Sequence, residues 1–226
     1  MASSLKIHII ILVFISLFAS SCLTKKEFSE VVKKNVEIGM YTNTKVNTPY
    51  LILKTDKLPA ADSAVEIKKL SSYMVPLFFF WGWDRSYQCD INNRYFSNLF
   101  AGALEDKAKE FELEKILGDK KIEITLEQVP KGFLYTNTGS VYFLMVAYFY
   151  DFDEKIYPQS QNFKISYKLM QGERELKSDT LSYQFQDPVK NTADMSISFV
   201  DFYMQDLKTN FENKSNEFIE RIIEEL

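Results

Sequence analysis

Apolar residues follow distinct rhythms along the chain, and each rhythm predicts an element. Ile122, Ile124 and Leu126 alternate with Glu123, Thr125 and Glu127, and Phe163, Ile165, Tyr167 and Leu169 alternate with Lys164, Ser166 and Lys168. Both patterns predict strands with one wet face. Short strand patterns also cover Tyr50 to Lys54, Val65 to Leu70 and Ser86 to Ile91. The turn residues Gln171-Gly172-Glu173 lead to Leu181, Tyr183 and Phe185, which predicts a hairpin. Tyr95, Phe96, Leu99, Phe100, Ala103, Leu104, Ala108 and Phe111 have helical spacing. Asn92 or Asn93 would cap that helix, and Gly118 would end it. A second helical stripe runs through Phe199, Tyr203, Leu207, Phe211, Phe218, Ile222 and Leu226. Val141 to Tyr150 is apolar on both faces, with Tyr142, Tyr148 and Tyr150 together on one, and predicts a central strand or one that meets a partner. The order of these elements predicts one α+β domain over residues 49–226, with a single antiparallel sheet of about four to six strands and two long helices on one face. Residues 22–48 are polar, carry Lys25, Lys26, Lys33 and Lys34, and read as a tether with a helical turn near Phe28, Val31 and Val32.

The N-terminus has a different pattern. Lys6 and His8 precede Ile9 to Ala19, a stretch apolar on every face and broken only by Ser16. As a helix it would span about 16 Å, roughly half of a bilayer's hydrocarbon, which suits a signal-peptide core rather than a membrane span. Small residues, Ala19, Ser20 and Ser21, run straight into Cys22, and Ala19 and Ser21 at −3 and −1 would suit cleavage by ordinary signal peptidase. This stretch resembles the lipobox of bacterial lipoprotein precursors, departing from it at Ala19, where Leu is usual. The resemblance implies removal of residues 1–21, acylation of Cys22 and a bacterial envelope protein held on a membrane through that residue. Leu23, in place of an Asp after the cysteine, implies the outer membrane rather than the inner. The chain's other cysteine, Cys89, alternates with Tyr87 and Ile91 and reads as a buried structural thiol.

Composition narrows the chemistry. His8 is the only histidine and falls in the leader, so the mature chain lacks histidine-based triads, histidine-ligated zinc and histidine proton shuttles. The seven glycines form no phosphate-cradling loop. A net charge of −4 without a basic run argues against nucleic acid as a partner. Asp151, Asp153 and Glu154 cluster at a strand end but lack the spacing of a calcium loop, and read as turn acids. Asp84 and Asp90 are a carboxylate pair of the kind glycosidases use, but a chain with 31 acids offers many such pairs. No catalytic residue, metal site or cofactor is expected.

The sharpest feature is the aromatic run 73–83, containing Phe78, Phe79, Phe80, Trp81 and Trp83. Pro76 and Gly82 argue against a regular central strand there. The run reads either as core, with the tryptophans plugging the sheet–helix interface, or as an aromatic surface for lipid, a hydrophobic ligand or an envelope protein. On the second reading the contact residues are Phe78, Phe79, Phe80, Trp81, Trp83, Tyr142, Tyr148 and Tyr150. The element order also resembles, in topology alone, the compact α+β lipoproteins that assist envelope lipid transport, which implies a non-enzymatic binding or assembly role. The alternative is a surface lipoprotein that binds or processes carbohydrate on a platform of Trp81, Trp83 and Tyr87.

Overall fold

The computed structural model describes residues 24–40, 46–59, 63–77, 79–143, 148–185, 189–192 and 197–226. Helix α1 (Lys25–Met40) is followed by the short strands β1 (Asn47–Thr48) and β2 (Leu51–Lys54). The hairpin of β3 (Val65–Leu77) and β4 (Phe80–Ile91) leads to helices α2 (Asn93–Glu110) and α3 (Leu113–Leu117). Strands β5 (Lys120–Gln128), β6 (Gly132–Phe143), β7 (Tyr148–Gln159), β8 (Asn162–Gln171), β9 (Arg174–Gln184) and β10 (Lys190–Thr192) come next, and helix α4 (Ile197–Glu224) closes the fold.

The expected single sheet is not what forms. Two sheets of five strands are present, in the orders β1-β2-β5-β8-β9 (sheet A) and β10-β7-β6-β4-β3 (sheet B), with β1 and β10 as short edge strands. One long hairpin joins them. Lys120 pairs with Gln171, Leu126 with Ile165, Gly132 with Gln159 and Phe143 with Tyr148, in a common register interrupted by a bulge between Leu126 and Gln128. The ribbon breaks at 129–131 on one arm and 160–161 on the other. There it changes neighbours: β5 and β8 lie between β2 and β9, whereas β6 and β7 lie between β4 and β10. Gly132 makes the bend possible, because a Cβ on it would stand 1.9 Å from the Cys89 carbonyl oxygen.

Alternation sorts the side chains. Ile122, Ile124, Leu126, Phe163, Ile165 and Tyr167 of sheet A are buried, as are Tyr87, Cys89, Phe133, Tyr135 and Ile156 of sheet B. They form one hydrophobic core with α1, α2 and α4. Phe163 is its centre, with ring centroids 4.7 Å from Phe211 and 5.0 Å from Phe218 of α4. The N-cap of α2 is as expected: the Asn92 side chain accepts from the Arg94 N–H at 2.9 Å. The helix ends earlier than expected, at Glu110, because Glu112 adopts a left-handed backbone that separates α2 from α3.

Helix α1 lies within the stretch read as a tether. Phe28, Val32 and Val36 have no solvent exposure, and Asn35 Nδ2 donates to Asp201 Oδ1 of α4 at 2.8 Å. Helix α1, Lys25–Met40, is thus part of the folded body.

Two aromatic stretches also differ from expectation. Residues 73–77 and 80–83 are paired arms at the end of the β3–β4 hairpin, Leu77 opposite Phe80, and not a single element. Pro76 is tolerated because β3 is an edge strand, paired among the described residues with β4 alone. Likewise Val141 to Tyr150 is not one strand but the end of the β6–β7 hairpin, with Val141 opposite Tyr150.

Candidate functional site

The two hairpin ends lie side by side. In register the outermost row is Leu77, Phe80, Tyr142 and Phe149, and the next is Pro76, Trp81, Val141 and Tyr150. Two further rows follow, Val75-Gly82-Ser140-Asp151 and Met74-Trp83-Gly139-Phe152. Together they make a four-stranded blade in which Asp151 is the only charged residue. In sequence, 70–83 and 132–150 contain no Asp, Glu, Lys or Arg, although charged residues make up 26% of the chain.

The blade is apolar on both faces. Directly opposed residues share a face, so Tyr73, Val75, Leu77, Phe80, Tyr142 and Phe149 lie on the outer one, away from the helices. Met74, Trp81, Trp83, Val141, Tyr150 and Phe152 lie on the other. Phe79 is 61% exposed, Phe149 61% and Tyr150 72%; Leu70, Tyr73, Met74, Leu77 and Tyr142 are exposed as well. Neighbouring large apolar side chains in water mark an interaction surface.

The predicted contact residues divide along the blade. Phe79, Tyr142 and Tyr150 are exposed, and Phe80 and Trp81 are half-buried, with the Phe80 ring 4.8 Å from Tyr142. Trp83 is buried at 8% exposure, so at this position the core reading describes the side chain. Tyr87 is buried against Phe28, which removes it and Trp83 from any solvent-facing sugar platform. Cys22 and Phe78 lie outside the described residues, as does the side chain of Tyr148. Tyr73, Met74, Val75, Leu77 and Phe149 belong to the surface without having been singled out among its contact residues. The signal that would have found them is the absence of charge over the two stretches taken together.

A buried polar chain closes the blade's base. Trp83 Nε1 donates to Asn137 Oδ1 at 2.7 Å, Asn137 Nδ2 donates to the Tyr135 hydroxyl at 3.2 Å, and that hydroxyl donates to Glu154. Burial, followed by the charge of Glu154, pushes the Tyr135 hydroxyl well above its ordinary value. It therefore stays a donor, and the chain locks the indole in place. Asp84 and Asp90 are occupied locally, Asp84 accepting from Ser71 at 2.6 Å and Asp90 from Gln88 at 3.2 Å. Cys89 is a free, buried cysteine whose thiol burial pushes far up.

Among the described residues there is no group of His, Cys, Asp and Glu that could hold a metal ion, and no helix is long and apolar enough to cross a membrane. Compared with known proteins, the chain matches no family model, no curated protein and no solved structure.

Proposed function

We propose that this chain is an envelope lipoprotein, held on the membrane through acylated Cys22, that acts as a binding or assembly module. The blade is its working surface. The observation that carries this reading is the blade's exposure of apolar rings on both faces with almost no charge. A surface of that kind recognises an apolar partner, and a role beside lipid-handling machinery of the envelope fits it. The lipobox-like stretch supplies the anchor: one acyl chain holds a protein marginally, and two or three hold it firmly.

Acyl labelling of wild type beside Cys22→Ala, with the mass of the mature N-terminus and membrane fractionation, tests the anchor. The expected outcome is an acylated Cys22 in wild type, and loss of label with release from the membrane in the variant. An unmodified Cys22 in a protein found only in the soluble fraction would sink the anchored reading.

A further inference from the structure

We infer that the blade itself dips into the lipid surface, shallowly, in the leaflet that holds the acyl chains. This rests on the anchored reading and adds a second contact that fixes how the body stands on the membrane.

The first support is where the chain enters the fold. Phe28 of α1 packs with its ring 5.2 Å from both Tyr87 and Tyr135, on the face of sheet B that meets the helices. Glu27, one residue upstream, lies within electrostatic reach of Arg85, one alternation step nearer the blade than Tyr87. Thr24, where the described chain begins, therefore lies on the blade's half of the molecule. Cys22 is so close in sequence that it lies within about 7 Å of Thr24. Acyl chains on Cys22 bring the blade to the same lipid surface.

Charge is the second support. The other end of the long ribbon carries a lattice of ion pairs on the outer face of sheet A, with Lys54 and Lys121 at 2.6 and 2.8 Å from Glu123 and Lys164 at 2.8 Å from Glu127. One end is thus suited to water, and the outer two rows of the other carry no charged residue. Exposed tyrosines flanking phenylalanine and leucine fit the headgroup level, where an apolar ring body and a wet hydroxyl are both satisfied.

The depth follows from where charge begins. The outer two rows extend roughly 7 Å at about 3.4 Å per row, within the depth of interfacial insertion. Sinking further would carry Asp151 in the third row, and then Asp84 and Asp153 in the fifth, into hydrocarbon. Insertion stops near the second row.

The chain's two tryptophans, Trp81 and Trp83, both sit in the blade, so intrinsic fluorescence reports on it. Full-length mature protein would be reconstituted with vesicles of phosphatidylethanolamine and phosphatidylglycerol, with and without lipids brominated near the top of the acyl chains. Flotation and N-terminal mass report the anchor; quenching reports the blade. The expected result is flotation with strong quenching in wild type. A Phe79→Asp/Tyr150→Asp variant should still float and keep its melting temperature but lose most of the quenching. Acylated wild type that floats unquenched overturns the inference and leaves the anchor standing, with a protein groove or a second copy as the blade's occupant. Protein without acyl mass that floats and is quenched supports the blade contact and removes the anchor. Protein that neither floats nor is quenched overturns both.

Discussion

Gly139 sits opposite Trp83 in the β4–β6 pairing, and a Cβ there would stand 2.3 Å from the indole Cζ2. The glycine lets the indole lean across β6 to reach Phe152, with ring centroids 6.4 Å apart. Gly139→Ala must displace a ring pinned by the Asn137 hydrogen bond, and overpacking of this kind costs about 1–3 kcal/mol. A lowered urea midpoint with an unchanged slope is the expected outcome; an unchanged midpoint would mean the indole moves freely. Cys89 makes a second prediction at this scale. With no solvent exposure and a thiol pushed up chiefly by burial, it should not react with thiol reagents in the native protein and should react at once in denaturant. Alternation with Tyr87 and Ile91 was enough to foresee its burial. The role of Gly139 was not legible, because its neighbour across the sheet is 56 positions away in sequence.

Helix α1 starts on a local signal that its lysine-rich composition masks. Thr24 and Glu27 form a reciprocal cap: the Thr24 N–H donates to Glu27 Oε2 at 2.8 Å, and the Glu27 N–H to Thr24 Oγ1 at 3.2 Å. Its buried stripe of Phe28, Val32 and Val36 is one residue wide and lies among paired lysines, so composition suggests a tether where spacing specifies a helix. Phe28→Ala would remove a ring packed on Tyr87, Phe133 and Tyr135. The expected loss is about 3–5 kcal/mol, a large share of the roughly 5–15 kcal/mol that holds a domain together. Thermal melting would check it, and a loss below about 1 kcal/mol would contradict α1 as part of the core. Sheet A makes a pH prediction. Glu123 is held at about 2 by hydrogen bonds from Lys121 and Lys54, and Glu127 at about 2 by Lys164 and Lys57, against an ordinary 4.5. Because the folded state depresses both values, their stabilisation is complete above about 4.5 and is lost as pH falls towards 2. Urea midpoints should drop across that window, and a Glu123→Gln/Glu127→Gln variant should show a shallower drop. The single-sheet expectation failed at this scale too. The clean alternation of β5 and β8 marks each as a strand with one wet face, but it does not announce that the ribbon they belong to changes its neighbours midway.

At the scale of the whole molecule, the ribbon runs from an ion-paired end to an apolar one, and α1 begins on the half that carries the apolar end. On the anchored reading, the three residue steps from Cys22 to the docked helix at Lys25 are too few to let the body tumble freely above a bilayer. Anchor and blade would then act as two linked contacts, the second made at the high effective concentration that a short link imposes. Inserting about twenty Gly and Ser residues after Leu23 would give the link an end-to-end distance of roughly 25 Å. The melting temperature should be unchanged, since the insertion lies outside the helix and its cap. Acylated protein should still float with vesicles, yet tryptophan quenching by brominated lipid should weaken as the effective concentration falls with link length. Undiminished quenching would mean that the blade holds the membrane by its own affinity and that the short link adds nothing. Loss of flotation would mean that the position of Cys22 beside the body, and not its acyl chains alone, holds the protein on the membrane.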